Sequence, residues 1–258
     1  MQNANASAGE FDTKSYLDRL KAFNRGRKAT VSGSGSSKAG AQPLADFLPG
    51  WLRNTSSRSL VEASCGHWPS GWQPSVKWPS IKYSGFDILT EQVQANREFA
   101  IARGGESAFG LQSMHFETAE ITRDQLPPAD VLLTKDTLIH FSYTAISRFL
   151  ALNVLPCPPL FKRVLFVHDP IRRPNNVEMD NFHGTGNSRE GAQALDMRKA
   201  PFSLDVRTLL RYRVRGTGNG EKIVQELDNE RRCAALGTRA SSAKRKQQKK
   251  ERGSDQRA

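Results

Sequence analysis

The chain has 258 residues, 37% of them hydrophobic, and a net charge of +12. That is enough apolar material for one good-sized core but not for two. No run approaches the roughly 18 to 20 apolar residues that span a bilayer, and the N-terminus lacks the short apolar stretch of a signal peptide, so a soluble protein of the cytoplasm or nucleus with no membrane partner is expected. Cys65, Cys157 and Cys233 are widely spaced and form no CxxC pair. Neither a disulfide framework nor a zinc knuckle is expected, and a reducing compartment fits best.

The charge is concentrated at one end. From Arg231 onward there are ten Lys and Arg against Glu251 and Asp255, a surplus of eight that leaves the rest of the chain only mildly basic. Residues 238–258 lack apolar anchors and read as a disordered basic tail, which serves as an import address, a nucleic-acid tether or simply a solvated end. Residues 1–42 are poorly built for a core. Within them Phe11, Tyr16, Leu17, Leu20 and Phe23 fall at approximate helical spacing, and residues 29–42 form a Gly/Ser/Ala linker. The folded unit is expected from Pro43 to Gly237.

Inside that unit the pattern alternates. Residues 59–64 and 81–88 read as strands, 90–104 as a helix with Thr90 as its N-cap and Gly104 past its end, and 113–121 as an alternating strand. Residues 129–136 form a short apolar strand after the breaker Leu-Pro-Pro, 143–155 a helix and 161–169 another buried strand. Strands alternating with helices predict an α/β fold with a doubly wound, mainly parallel sheet, whose ligands bind beyond the carboxyl ends of the strands.

Three acids fall at those ends: Asp87, Glu120 and Asp136. A carboxylate about 20 residues past the first turn is placed to accept both ribose hydroxyls of an adenosine. As a lone acid, Asp87 reads equally as a turn residue or a helix cap. The first turn, Val61 to Trp68, carries one glycine, Gly66, and the segment after it contains Pro69, Pro74 and Pro79, which forbid a long regular helix. Trp68, Trp72 and Trp78 read as packing residues rather than base binders.

Four blocks in order resemble a known family. "VEASCGHW" matches the pattern E/D-x-G-C-G-x-W. "YSGFDI", "LPPADVLLTKDTLIHFS" and "NSREGAQALDMRKAPFSL" match its later blocks. Residues 59–204 thus resemble a class I S-adenosylmethionine-dependent methyltransferase, of the subgroup with a tryptophan-bearing first turn. The resemblance implies a Rossmann-like methyltransferase topology and S-adenosylmethionine as cofactor. Backbone at Ser64, Cys65 and Gly66 would approach the methionine portion, Glu62 would order the turn or meet the amino group through water, and Asp87 would hold the ribose with Ile88 against the adenine. Glu120 and Ile121 would lie at the adenine's amino edge, and Asp136 beside Lys135 would face the sulfonium and acceptor. Ser64 departs from the pattern by replacing its first glycine, which crowds the approach to the cofactor. Gln193 stands where the family tends to have arginine or tryptophan.

Methyl transfer from a sulfonium needs a base only where the acceptor keeps its proton at neutral pH. His140, near Asp136, is the candidate, and helix-start packing is its bland alternative. His168 and Asp169 close the fifth strand and could line the same cleft. The five histidines are scattered without HxxxH or HxH spacing, so no metal is expected. The acceptor is expected to be a small molecule. Two other readings stay open: a noncatalytic interaction module, and a nucleic-acid methyltransferase delivered by the basic tail, against which Lys135-Asp136-Thr137-Leu138 replaces the Asn-Pro-Pro-aromatic tetrad of amino-methylating enzymes.

Overall fold

The computed structural model describes residues 34–171, 174–176, 193–214 and 220–238. The expected helix near residues 11–23, the loop around residues 180–191 and the basic run from 239 onward lie outside them.

Seven strands form one sheet: β1 Ser59–Ala63, β2 Lys82–Asp87, β3 Ser113–Thr118, β4 Ala129–Lys135, β5 Phe161–His168, β6 Val206–Arg213 and β7 Glu221–Asp228. Their spatial order is β3-β2-β1-β4-β5-β7-β6. The first five are parallel, while β7 runs antiparallel between β5 and β6. β1, β4 and β5 are near-continuous apolar runs because both faces of the central sheet are covered, whereas edge strand β3 leaves most of its side chains in solvent. This is the doubly wound sheet expected from the alternation.

One face packs on helices α1, Lys38–Asn54, and α2, Thr90–Ala102. Leu44, Leu48, Trp51 and Leu52 of α1 repeat at helical spacing and are buried against the sheet. The linker expected over residues 29–42 is corrected here for residues 38–42, which form the first turns of α1. Ser37 caps the helix, its Oγ accepting from Gly40 N–H at 3.1 Å. Pro43, expected to open the folded unit, and Pro49 both sit inside it, each removing one donor, and the buried apolar stripe outweighs them. The start of α2 also differs by one residue. Its N-cap is Leu89, whose N–H donates to Asp87 Oδ1 at 3.0 Å, and Thr90 is the first helical residue.

The crossover between β1 and β2 holds two single 3₁₀ turns, Trp68–Ser70 and Gln73–Ser75, as its three prolines require. Its tryptophans are core. Trp68 is fully buried, edge-on to Tyr83 and Phe116 at centroid separations of 5.0 and 5.4 Å. Gly85 of β2 makes room beneath them: a Cβ there would come within 2.9 Å of both Cys65 Sγ and Phe116 Cδ1.

The other face carries α3, Tyr143–Phe149, which widens into a π-helical turn at Leu150–Val154. That turn holds the fully buried Asn153. Its Oδ1 accepts from Leu126 N–H at 2.8 Å and its amide donates to the Ile121 carbonyl at 2.9 Å. A final helical stretch, 229–238, follows β7.

The expectation of no disulfide is overturned. Cys157 and Cys233, 76 residues apart, are bonded to each other, and only Cys65 is a free thiol. The pairing is invisible in the sequence because it depends on β7 running back beside β5, which sets residue 233 against the segment that enters β5. It also removes cysteine usage as a reason for a reducing compartment. Among the described residues no helix is long and apolar enough to cross a membrane. Replacing both cysteines by serine is expected to lower stability by about 4 to 5 kcal/mol, since a loop of this length is freed in the unfolded chain. Chemical denaturation of the variant beside the oxidised parent measures it.

Candidate functional site

β1 and β4 are neighbours, but the chain leaves them in opposite directions. After β1 it crosses one face to reach β2, and after β4 it crosses the other to reach β5. A crevice opens between the two departures, at the carboxyl ends of the strands. Each strand is followed by a non-glycine residue with left-handed backbone, Ser64 at φ 60° after β1 and Asp136 at φ 55° after β4. Such conformations cost on the order of 1–3 kcal/mol each and persist where the surroundings hold them.

The β1 turn is held from two sides. Gly66, at φ 64°, donates its N–H to Asp87 Oδ2 at 2.9 Å. Asn96 of α2 donates to the Gly66 carbonyl at 2.8 Å and accepts from Trp68 N–H at 2.8 Å. Cys65 N–H pairs with the Phe86 carbonyl at 2.8 Å, continuing the ladder one residue past β1. Asp87 is buried, and burial raises its pKa although backbone N–H groups of Leu89 and Gly66 work the other way. Backbone N–H groups of Leu89, Gly66 and Ile88 meet its two oxygens, which between them offer about four lone-pair sites, so acceptor capacity remains. Asn96 escapes a sequence reading because an asparagine within a helix carries no signal until its clamp is seen.

Glu62 points beneath the turn. Its Oε2 accepts from Tyr83 OH at 2.5 Å and its Oε1 from Gln73 Nε2 at 3.1 Å, while Gln73 also donates to the Cys65 carbonyl at 2.7 Å. Trp68 Nε1 donates to the Tyr83 oxygen at 3.0 Å and completes the chain. Burial raises the Glu62 pKa to about 7 against the pull of these donors. Glu62 therefore orders the turn through Gln73 from below.

Glu120 follows the end of β3. The preceding residue, Ala119, donates its N–H to the Asp87 carbonyl at 3.0 Å, which brings this loop beside Asp87. The Glu120 carboxylate accepts from Thr122 Oγ1 at 3.0 Å and lies 3.2 Å from Arg123 Nε. Ile88 is half-buried, whereas the Ile121 side chain is packed in the core on the α3 face of the sheet.

Across the crevice, Asp136 is flanked by two ammonium groups, Lys135 Nζ at 2.5 Å and Lys222 Nζ at 2.6 Å. Burial opposes its ionisation, but Lys135 and Lys222 outweigh that and hold its carboxyl well below the usual range. Lys222 also reaches Asp169 at 2.9 Å. His168 is turned into the core, with Nε2 3.1 Å from Gln225 Oε1, and burial lowers its pKa to about 4. His140 ends the 3₁₀ turn Leu138–His140 and is half-buried. Gln193 is buried beside that turn, donating to the Phe141 carbonyl at 2.6 Å. The structure thus gathers Glu62, Cys65, Gly66 and Asp87 into one hydrogen-bonded unit, sets Glu120 beside it, and places Asp136 on the opposite lip.

By sequence, the chain matches no protein-family model and no curated protein. By structure it has relatives. A small RNA methyltransferase superposes with a TM-score of 0.50 at 12% identity, over 72% of this chain and 25% of that one. The fold is that of the class I methyltransferases. Magnesium protoporphyrin IX methyltransferase from Synechocystis PCC 6803, with S-adenosylhomocysteine bound, aligns at a TM-score of 0.47 and 14% identity, covering 83% of this chain and 94% of that one. An O-methyltransferase family 2 protein from Planctomyces limnophilus, in complex with apigenin, aligns at 0.44 and 17% identity over 71% and 61%.

Glu62 makes stability depend on pH. Its carboxyl holds a proton up to about pH 7 in the folded chain but only to about 4.5 when unfolded, so its contribution is fully present below pH 4.5 and is lost as pH rises to 7. His168 acts oppositely, its neutral form favouring the fold above pH 6.5 and that advantage disappearing as pH falls towards 4. Glu62→Gln is expected to remove the first contribution, roughly 3 kcal/mol across the window. The stability difference, parent minus variant, should therefore fall between pH 4.5 and 7 in urea titrations, and a difference that stays constant contradicts the assignment.

Proposed function

We propose that this chain transfers a methyl group from S-adenosylmethionine to a small-molecule acceptor. The observation that carries the reading is the closure of the β1 turn by Asp87, a buried carboxylate at the end of β2 with lone pairs to spare, beside left-handed Ser64 and Gly66. Ribose hydroxyls are donors, and this carboxylate is the acceptor that suits them. Ser64 already adopts the conformation that the missing glycine would favour, so its substitution is accommodated at a strain cost rather than by a different turn. The fold of the methyltransferases supports the same reading.

When bound, the cofactor supplies an electrophilic methyl on a sulfonium that leaves as a neutral thioether. The protein's part is then largely alignment. Asp87 would fix the ribose, the Ser64–Gly66 backbone the amino-acid end, and Ile88 with the Glu120 loop the adenine. Asp136, committed to two ammonium groups and ionised far below neutrality, suits charge placement and not proton uptake. The proton of an acceptor hydroxyl or amine would pass to His140, the half-buried imidazole on the same lip. Delivery to nucleic acid by residues 239–258 is the competing reading. Turnover of small-molecule and nucleic-acid acceptors by the full chain and a chain ending at residue 238 separates the two.

Calorimetric titration of the parent with S-adenosylmethionine is expected to give micromolar binding, and Asp87→Asn, nearly isosteric but unable to accept on both sides, should weaken it by about tenfold, or 1.4 kcal/mol. A folded parent that releases no heat and shows no thermal shift rejects the enzyme reading.

A further inference from the structure

The amino ends of the strands, opposite the crevice, carry a row of cations. In strand order it runs from Lys82, the first residue of β2, through Arg58, which precedes β1, to Lys162 near the start of β5 and on to Arg231 beyond β7. Arg53, in the last turn of α1, joins it because α1 leads straight into β1. All five are exposed. The row is continuous: Lys82 N–H donates to the Arg58 carbonyl at 2.9 Å, Arg58 N–H to Asp130 Oδ2 at 2.7 Å, and Lys162 Nζ meets Asp130 Oδ1 at 2.8 Å. Neighbouring strands lie about 4.8 Å apart, so from β2 to β7 the row extends roughly 20 Å.

The acids at this end do not cancel it. Asp130 is taken up by Lys162, and Asp228 and Glu226 by Arg163 and Arg207. Among the described residues this leaves Glu106, Asp205 and Glu230 against Arg53, Arg58, Lys77, Lys82, Arg103 and Arg231, none of which has a carboxylate partner. A second feature is where the chain leaves. The helical stretch 229–238 is fastened to this end by Asn229, whose amide donates to the Val154 and Phe161 carbonyls at 2.8 and 3.2 Å. Arg232, donating to the Leu155 carbonyl at 2.9 Å, and the Cys157–Cys233 bond fasten it further. The chain beyond residue 238 therefore starts from the end that carries the row. From residue 239 onward eight Lys and Arg stand against Glu251 and Asp255, so the charge outside the described residues adds to that of the row.

We propose that the amino end of the sheet is a docking face for duplex nucleic acid, gripped by its phosphates, and that it anchors the protein without presenting an acceptor to the crevice. Phosphates repeated along a backbone suit a linear row of unpaired cations better than a single small anion does. No aromatic side chain among the described residues is exposed, so the face offers no platform on which the bases of a single strand could stack. A lipid surface would engage apolar side chains as well as charge, and the two large ones exposed among the described residues, Ile101 and Leu236, stand singly on different helices. β5 runs for eight residues between this end and the crevice, which sets a bound duplex about 25 Å from the candidate site. The inference goes beyond the methyltransferase reading and does not depend on it.

The test is fluorescence anisotropy of a labelled DNA duplex of about 20 base pairs and arbitrary sequence, titrated with the full chain between about 50 and 200 mM salt. Micromolar binding at the low end is expected, falling steeply as salt rises. Arg53→Gln, Arg58→Gln and Lys82→Gln combined should weaken it roughly tenfold and lower the salt slope by about 2 to 3, since each phosphate contact contributes about 0.9. Arg211→Gln with Arg213→Gln, which removes two exposed cations from β6 at the crevice end, should leave the slope unchanged. All these side chains are exposed, so the fold should survive; a melting curve checks this, and the single variants carry the test if the triple one does not fold. A parent that does not bind, a triple variant that binds like the parent, or two sets that weaken binding alike overturns the face. The second of these assigns binding to residues 239–258 alone. Tighter binding to phosphatidylserine vesicles than to the duplex at the same salt also overturns it, in favour of a lipid surface. With S-adenosylmethionine supplied, the bound duplex should stay unmethylated; its methylation overturns the anchoring role and makes nucleic acid the acceptor.

Discussion

Placing β1 beside β4, with the chain leaving the two strands over opposite faces, is the constraint on which the rest of the molecule depends. The crevice exists because nothing connects the two strand ends directly. Each lip then has to be held by its own set of interactions. On the β1 lip the backbone turn is closed by Asp87 and Asn96 from neighbouring elements, and on the β4 lip by charges from β4 itself, β5 and β7. Left-handed Ser64 and Asp136 stand where the chain leaves the two strands; Asp136 is held by Lys135 and Lys222, and the residues after Ser64 are held by Phe86 and Asp87.

Holding the lips requires polar groups in an otherwise apolar interior. Glu62 sits under the turn with Tyr83, Gln73 and Trp68 around it, and β7 carries Lys222, Gln225 and Glu226 into the sheet. Each is matched. Gln225 bridges His168, Asp196 and Met197, and Glu226 is gripped by Arg163 at 2.9 Å and by Arg207. Because such groups are costly to bury and costlier to leave alone, they specify one registry of β7 between β5 and β6 where a purely apolar strand would tolerate several. The same registry brings Lys222 to Asp136 and so links the far side of the sheet to the candidate site.

Much of this was legible from local pattern. The first five strands, the helix after β2 and the proline-broken crossover follow from alternation and breakers, and Asp87 and Asp136 were singled out by position at strand ends. Other parts were not. β6 and β7 were not picked out as strands, since charged residues make up three of eight positions in the one and four of eight in the other, and only the neighbouring strands reveal how those charges are paired. α1 was hidden behind a glycine, a serine-rich lead-in and two prolines, and the helix after β4 hid a π turn around Asn153.

The sequence by itself determined the alternation of apolar runs and turns, hence a doubly wound sheet, and the residue types at the ends of its strands, since these depend only on local periodicity and spacing. Tertiary structure alone decided what each of those residues does. Glu62 and Asp136 are both acids at the ends of adjacent strands, yet burial raises the pKa of one to about 7 while two ammonium groups drive the other far below its usual value. The Cys157–Cys233 bond and the Lys135–Gly35 contact likewise join residues 76 and 100 positions apart. Charge state, pairing and covalent closure are properties of what surrounds a side chain, and that surrounding is assembled from segments that local sequence cannot see.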